Sequence, residues 1–308
     1  DGSYVVVWQS YNQDGNNWGI FGQHFTAAGV ADGAEFSINS YFWNAQQDVA
    51  VAALTGGGYV VAWRSENQDG SSGGVYAQRF DAHDGALGDE FQVSTASIYD
   101  QTHAAVLGLS DGGFIVAFAD QVRDGSSYGS YAQRYDAAGN AVGANVLLNT
   151  YTYSEQYLPV MAALKNDPST VGVDETGFVA VWRSHNQDGS GSGIYGQRFD
   201  ASGTAVGAEF RVNTEISGNQ YNPAVATLAN GNFVVVWNNE SDSSVRGQRY
   251  TAGGVAVGGE FVVGTPDQPS NQEQSPHITA LDTGGFVVAW DSSGGLLNDY
   301  IDVWAQQF

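Results

Sequence analysis

A short run ending in Gln, a polar or basic residue and then an aromatic occurs six times along this chain, and no other feature constrains the fold so tightly. The copies are GIFGQHF to Phe25, GVYAQRF to Phe80, GSYAQRY to Tyr135, GIYGQRF to Phe199, SVRGQRY to Tyr250 and DVWAQQF to Phe308, spaced 55, 55, 64, 51 and 58 residues apart. A second run precedes each copy and closes on Trp8, Trp63, Phe118, Trp182, Trp237 or Trp290. A repeat of this length is one supersecondary unit, which cannot bury both of its faces alone and must stack on its neighbours.

Two further runs complete the unit, each in five copies: PAVATL-like segments ahead of the Trp run, and EFRVN-like segments after the Gln run. All four are short, rich in β-branched and aromatic residues and bounded by turn formers, which is the signature of a strand. In chain order they are strands A, B, C and D. The expected fold is therefore all-β: one β-propeller domain over residues 1–308, built of four-stranded antiparallel blades. Six blades are expected, with five as the alternative, because A and D occur only five times. The small residues Gly22, Ala77, Ala132, Gly196, Gly247 and Ala305 in strand C are expected to make room for the Trp of the next sheet. Gln23, Gln78, Gln133, Gln197, Gln248 and Gln306 are expected to be buried hydrogen-bonding groups.

Composition narrows the partners. Asp and Glu total 33 against 10 Lys and Arg, a net charge of -23, which excludes nucleic acid as an expected partner and disfavours an anionic membrane surface. No apolar run approaches the roughly 18 residues needed to cross a bilayer as a helix, so membrane insertion is not expected. With no cysteine, disulfides and thiolate zinc sites are excluded.

Antiparallel connectivity sends the A–B and C–D loops to one end of each blade, and the B–C and D–A loops to the other. The first end carries formulaic glycine turns. The second gathers aromatics beside amides and carboxylates, which suits a sugar: an apolar ring face lies on an aromatic, and hydroxyls meet polar partners. The candidate ligand residues there are Trp18, Trp43, Tyr99, Tyr153, Tyr157 and Tyr221, with the aligned Gln46, Gln101, Gln156 and Gln220. The alternative is that these rings cap the blade ends.

The B–C loops also repeat an Asn-Gln-Asp-Gly turn. Asn12 and Asp14, Asn67 and Asp69, Asp124, and Asn186 and Asp188 could supply oxygens to calcium, or could bond their own backbone as Asx turns. Arg79, Arg198 and Arg249 each precede a Glu (Glu90, Glu209, Glu260) by 11 residues, which predicts cross-strand ion pairs. Glycoside hydrolysis needs two carboxylates in a cleft. Asp48, Asp100 and Glu155 are the set to test, taken as occupying comparable D–A positions. No nucleophile elbow, His cluster or phosphate loop occurs, and the reading at this stage is that the chain is not an enzyme.

The unit NQDGSGSGIYGQRFDASGTAVGAEFRVNT at residues 186–214, closely repeated at 67–95, resembles tandem repeats of large secreted bacterial proteins of the RTX and adhesin-like class. The resemblance implies an extracellular or cell-surface setting and an adhesive role. The expected function is a binding or adhesion module for glycans or a cell-surface component. A structural display domain is the alternative, and a glycan-active enzyme ranks third.

Overall fold

A computed structural model describes residues 2–95, 98–165, 177–265, 272–293 and 301–308. The described residues contain strands and turns and no helix. They form six antiparallel sheets in simple up-and-down order. Blade 1 is β1 (Tyr4–Tyr11), β2 (Trp18–Phe25) and β3 (Ala31–Ser37); blade 2 is β4 (Gln46–Ala53), β5 (Tyr59–Glu66), β6 (Gly73–Phe80) and β7 (Phe91–Gln92). Blade 3 is β8 (Gln101–Gly108), β9 (Phe114–Gln121), β10 (Tyr128–Tyr135) and β11 (Ala141–Leu147). Blade 4 is β12 (Gln156–Ala163), β13 (Phe178–His185), β14 (Ser192–Phe199) and β15 (Ala205–Arg211). Blade 5 is β16 (Gln220–Thr227), β17 (Phe233–Asn239), β18 (Ser244–Tyr250) and β19 (Ala256–Gly264); blade 6 is β20 (Gln272–Ala280), β21 (Phe286–Ser293) and β22 (Ile301–Gln307). This is a six-bladed β-propeller fold, in which, among the described residues, blade 1 has no strand A and blade 6 no strand D, in line with the repeat count. Residues 1–147 form one compact unit of three blades and residues 148–308 a second.

The pairing of B with C explains the two strongest repeats. The first residue of each B strand lies opposite the aromatic that ends strand C, and the rings stack: Tyr59 on Phe80 at 5.1 Å, Phe114 on Tyr135 at 4.8 Å, Phe178 on Phe199 at 4.9 Å, Phe233 on Tyr250 at 5.0 Å. Such cross-strand aromatic pairs contribute about 0.5–1 kcal/mol each. The B strands β5, β9, β13 and β17 are buried on both faces, Trp63, Trp182 and Trp237 completely so. The cores lie between successive blades within each unit, as where Val60, Ala62 and Val75 of blade 2 pack with Phe114, Val116 and Phe118 of blade 3.

Three expectations change at this level. The small residues of strand C receive an aromatic from strand D of their own blade rather than the next blade's Trp. A Cβ at Gly22 would come within 2.9 Å of Phe36, and one at Gly247 within 2.5 Å of Phe261. Strand D begins earlier than EFRVN: β15 starts at Ala205, leaving a tight turn over Asp200–Gly203. The reason is a bulge at the recurring Gln, whose amide takes the carbonyls that the register shift leaves over. Gln197 Nε2 donates to the carbonyls of Arg198, Val206 and Gly207, and Gln23, Gln133 and Gln248 repeat the pattern. The buried role expected for these glutamines therefore holds, with a specific purpose. The Arg–Glu ion pairs do not form. Arg79 and Arg198 donate instead to carbonyls in the C–D turn of the following blade, and Arg249 lies over the rings of Phe261 and Phe286. Glu90 and Glu209 accept from Gln68 and Gln187 of the Asn-Gln-Asp-Gly loops, at 2.6 Å in the first case.

Candidate functional site

The D–A loops owe their shape to one repeated clasp. Gln46, Gln101, Gln156 and Gln220, at the start of the A strands, are fully buried. Each donates to the carbonyl three residues back, at Trp43 (2.9 Å), Ile98 (3.0 Å), Tyr153 (3.1 Å) and Ser217 (3.1 Å). Each also accepts, through Oε1, from a side chain seven residues back: Asn39, Ser94, Asn149 or Asn213. Asn39 and Asn213 in turn accept the backbone N–H of Ile20 and Ile194 in strand C at 2.7 Å, so loop and sheet are joined. The loop reverses through a left-handed residue between clasp and tip: Asn44 (φ 61°), Tyr99 (φ 68°), Ser154 (φ 67°) and Gly218 (φ 71°).

The glutamines are therefore not available to a ligand, which corrects their assignment as ligand-binding groups. An amide without solvent exposure that bonds through both its N–H and its oxygen is committed to the fold, and Gln101, Gln156 and Gln220 also place their amide on Asp120, Ser184 and Asn239. Instead they hold out the tips of the loops. The Asn or Ser seven residues upstream went unrecognised as part of this device, although its fixed spacing from the Gln is visible in the sequence.

The rings divide into two groups. In the first unit Tyr11 (61% exposed), Phe42 (50%), Trp43 (59%) and Tyr99 (54%) stand in solvent, as does Tyr153 (70%) in the second. Phe42 and Trp43 pack together at 5.2 Å, Tyr11 lies 5.3 Å from Trp18, and Tyr151 meets Tyr153 edge-on at 6.4 Å. Trp18, Tyr157 and Tyr221 are half-buried and back the loops rather than cap them. Tyr157 lies under the Arg183 guanidinium at 5.7 Å. Burial, with help from Glu240, raises the Tyr221 phenol.

The Asn-Gln-Asp-Gly loops are Asx turns. Asn12, Asn67 and Asn186 take the left-handed conformation at φ 58–62°. One carboxylate oxygen of Asp14, Asp69, Asp124 and Asp188 accepts the N–H two residues on, at 2.9–3.1 Å. The other oxygen packs over a strand-C glycine, where a Cβ would come within 2.7 Å of Asp14 or Asp188. Burial and the nearby Asp69, Asp124 and Asp188 push the phenols of Tyr76, Tyr131 and Tyr195 up to about 12. Each loop thus holds a single carboxylate, and no group of three or more His, Cys, Asp or Glu side chains suited to a metal lies among the described residues.

The carboxylates proposed for catalysis are not equivalent. Asp100 and Glu155 immediately precede their clasp glutamines, whereas Asp48 is two residues past Gln46. It sits at the left-handed residue of a bulge repeated in every A strand: Asp48 (φ 54°), His103 (φ 53°), Leu158 (φ 57°), Asn222 (φ 51°) and Ser275 (φ 46°). Bulges re-aim side chains, and left-handed non-glycine residues cost of order 1 kcal/mol each. Asp48 accepts from Thr102 Oγ1 of blade 3 at 2.8 Å. Asp100 pairs with Arg64 of blade 2 at 2.7 Å and with the Tyr128 hydroxyl at 3.1 Å; Glu155 pairs with Arg183 at 2.9 Å. A further acid went unremarked in the sequence. Asp120 replaces the Ser found at the same place in Ser65 and Ser184, is wholly buried, and bonds Gln101 and Arg123. Burial raises its carboxyl above the usual range.

No family model and no curated protein matches this sequence. Among solved structures, the chain is similar to an α-L-arabinanase of Penicillium chrysogenum complexed with arabinobiose, at TM-score 0.65 and 15% identity, covering 99% of this chain and 89% of that one. It is likewise similar to an α-L-arabinofuranosidase of Fusarium graminearum in complex with an iminosugar inhibitor, at TM-score 0.64 and 12% identity over 100% and 90% of the two chains. A protein of unknown function from Dyadobacter fermentans matches at TM-score 0.59 and 12% identity over 85% and 78%. These likenesses establish the propeller fold. They also overturn the reading of the chain as a non-enzyme, because two of these three structures with its fold are enzymes acting on arabinosides.

Proposed function

We propose that this propeller engages glycan chains at the end of its blades that carries the D–A and B–C loops. The observation behind this reading is the set of exposed rings at loop tips, Trp43 and Tyr153 foremost, each held out by a buried Asn–Gln clasp. A ring fixed in place loses little entropy when a sugar stacks on it, and such preorganisation favours binding. The arabinobiose and iminosugar complexes of the two enzymes with this fold support a carbohydrate ligand. The repeat resemblance supports an adhesive role outside the cell. The test is a glycan array followed by calorimetry on the best hit. Trp43→Ala or Tyr153→Ala should weaken that hit about tenfold, near 1.4 kcal/mol, with an unchanged melting temperature. No binding to any glycan would sink the proposal.

A second reading, cleavage of the bound glycan, is favoured by Asp48. Its carboxylate is set on a left-handed bulge and tied to the next blade, an arrangement that serves positioning. Arabinan and arabinobiose are the first substrates to try. Release of reducing sugar that Asp48→Asn abolishes would establish hydrolysis, and no release from any arabinoside would remove this second reading.

A further inference from the structure

At the other end of the blades, the first unit breaks its own repeat at two places that meet. Where the structure records the contact elsewhere, the penultimate residue of strand C is an Arg reaching into the C–D turn of the following blade. Arg79 donates to the carbonyls of Ala137 and Ala138, and Arg198 to that of Gly253 at 2.9 Å. The Arg crosses directly over the left-handed glycine of that turn. A Cβ at Gly139 (φ 87°) would come within 2.7 Å of Arg79, and one at Gly254 (φ 80°) within 2.9 Å of Arg198. Between blades 1 and 2 both members differ. The Arg is His24, and the glycine is Asp84, held at φ 65°. The shorter imidazole leaves the room that the Asp84 side chain fills.

The two substituted residues bond to each other. His24 Nδ1 lies 3.1 Å from Asp84 Oδ1, and the Tyr59 hydroxyl donates to the same oxygen at 2.7 Å. Tyr59 adds a hydroxyl here, shared at this position only with Tyr4 of blade 1, where the later blades hold Phe114, Phe178, Phe233 and Phe286. Burial and the Asp84 bond raise its phenol, so the proton stays on Tyr59 and Asp84 remains an acceptor. A carboxylate gripped by a phenol and an imidazole orients the imidazole, and with Nδ1 engaged, Nε2 is the ring atom left for a ligand. His24 and Asp84 line a groove of about 500 Å³ together with Ser3, Thr26, Asp32 and His83.

We infer that this groove is a binding site for a small neutral polyhydroxylated molecule of monosaccharide size, with His24 Nε2 as its central contact. The volume is that of a small-molecule pocket. Its polar lining offers both kinds of partner a sugar hydroxyl needs: with Nδ1 bonded to Asp84, His24 presents Nε2 alone, the His83 ring carries one donor and one acceptor, and the carboxylates accept. The surplus of acid over base in the chain disfavours an anion. The site goes beyond the glycan face proposed above, since it is built from the C–D turns at the opposite end of the blades. A plain interblade staple does not need this arrangement, because the Arg–Gly pair provides one between blades 2 and 3 and between blades 4 and 5.

The experiment replaces the local exception with the repeat's own solution, His24→Arg with Asp84→Gly. This pair should still fold, since it restores the Arg79–Gly139 arrangement, with a melting temperature lowered only by the Tyr59 hydroxyl's loss of its acceptor. Imidazole resonances are followed by NMR while arabinose, galactose, glucose and glycerol are titrated into each protein. The expected result is saturable shifts of the His24 and His83 signals with at least one sugar, and binding at least about tenfold weaker for His83 in the double variant. Trp43→Ala should leave these shifts untouched, which separates this site from the glycan face. No saturable shift with any of the four compounds overturns the inference, and so does an undiminished His83 shift in the double variant.

Discussion

Replacing Gln46 by leucine keeps nearly the same volume and removes both halves of one loop clasp. In the native protein Gln46 Nε2 donates to the Trp43 carbonyl at 2.9 Å, and Oε1 accepts from Asn39 Nδ2 at 3.3 Å, with no solvent at the glutamine. Leucine opens no cavity, so the cost is that of one carbonyl and one amide left without this partner. At about 1–3 kcal/mol for each buried polar group stranded, the loss is about 2–6 kcal/mol. For a unit of 147 residues, with roughly 2–4 °C per kcal/mol, the melting temperature should fall by roughly 4–24 °C. Near-UV circular dichroism during heating reads this directly, and calorimetry with the preferred glycan should show weaker binding because Trp43 is no longer held. Gln46→Glu sharpens the test. A buried carboxylate has its pKa raised, so its penalty grows as pH rises and shrinks as the acid protonates and can donate to Trp43 again. A Gln46→Leu melt within roughly 2 °C of the native protein would refute the reasoning that these glutamines hold the loops.

Asp120→Ser tests the buried acid. Because its folded-state pKa is raised, the native protein keeps the proton after the unfolded chain has lost it, and Asp120 costs stability increasingly as pH rises. The variant should therefore melt higher at pH 7 and converge with the native protein near or below the unfolded Asp value of about 3.9; Arg123 keeps its bond to Asn145 at 2.8 Å. Gly254→Ala places a Cβ 2.9 Å from Arg198 on a left-handed backbone, and a loss of about 1–2 kcal/mol in urea unfolding is expected. Asp200 accepts the backbone N–H groups of Ser202 and Thr204 in a C–D turn, bonds that with the Ser202 hydroxyl hold its carboxyl below the ordinary range. Its contribution is present above the unfolded value and lost as pH falls through the folded one, so Asp200→Ala should flatten the acid limb of stability against pH. In each Asn-Gln-Asp-Gly loop the Asp bonds the loop's own backbone, and an Asx turn needs no ion, so a melt unchanged by chelator is expected of these turns alone. A fall of several degrees would place calcium in these loops.

Much of the candidate face was legible in the chain. Loop tips such as Trp43 and Tyr153 read as solvent-facing aromatics, and the ends of the blades on which they fall follow from strand order alone. The glutamines did not read correctly. A polar residue recurring at a loop could serve a ligand or a backbone carbonyl, and only burial distinguishes the two. The Arg–Glu spacing misled for a related reason: it matches a hairpin register, but the bulge at the Gln just before the Arg shifts that register, and Arg79 and Arg198 reach the next blade instead.

By itself the sequence determined the six-fold repeat, the strand inventory of five A, six B, six C and five D, and the sorting of loops to the two ends. These are matters of periodicity and chain order, which need no knowledge of neighbouring blades. Only the tertiary structure decided which polar groups are consumed in holding the fold and which remain free. It buried Gln46 and its counterparts, set Asp48 on a strained bulge apart from Asp100, and brought His24, Asp84 and Tyr59 together across two blades. A hydrogen bond between residues 60 positions apart, such as His24 to Asp84, follows from blade stacking and has no local trace in the chain.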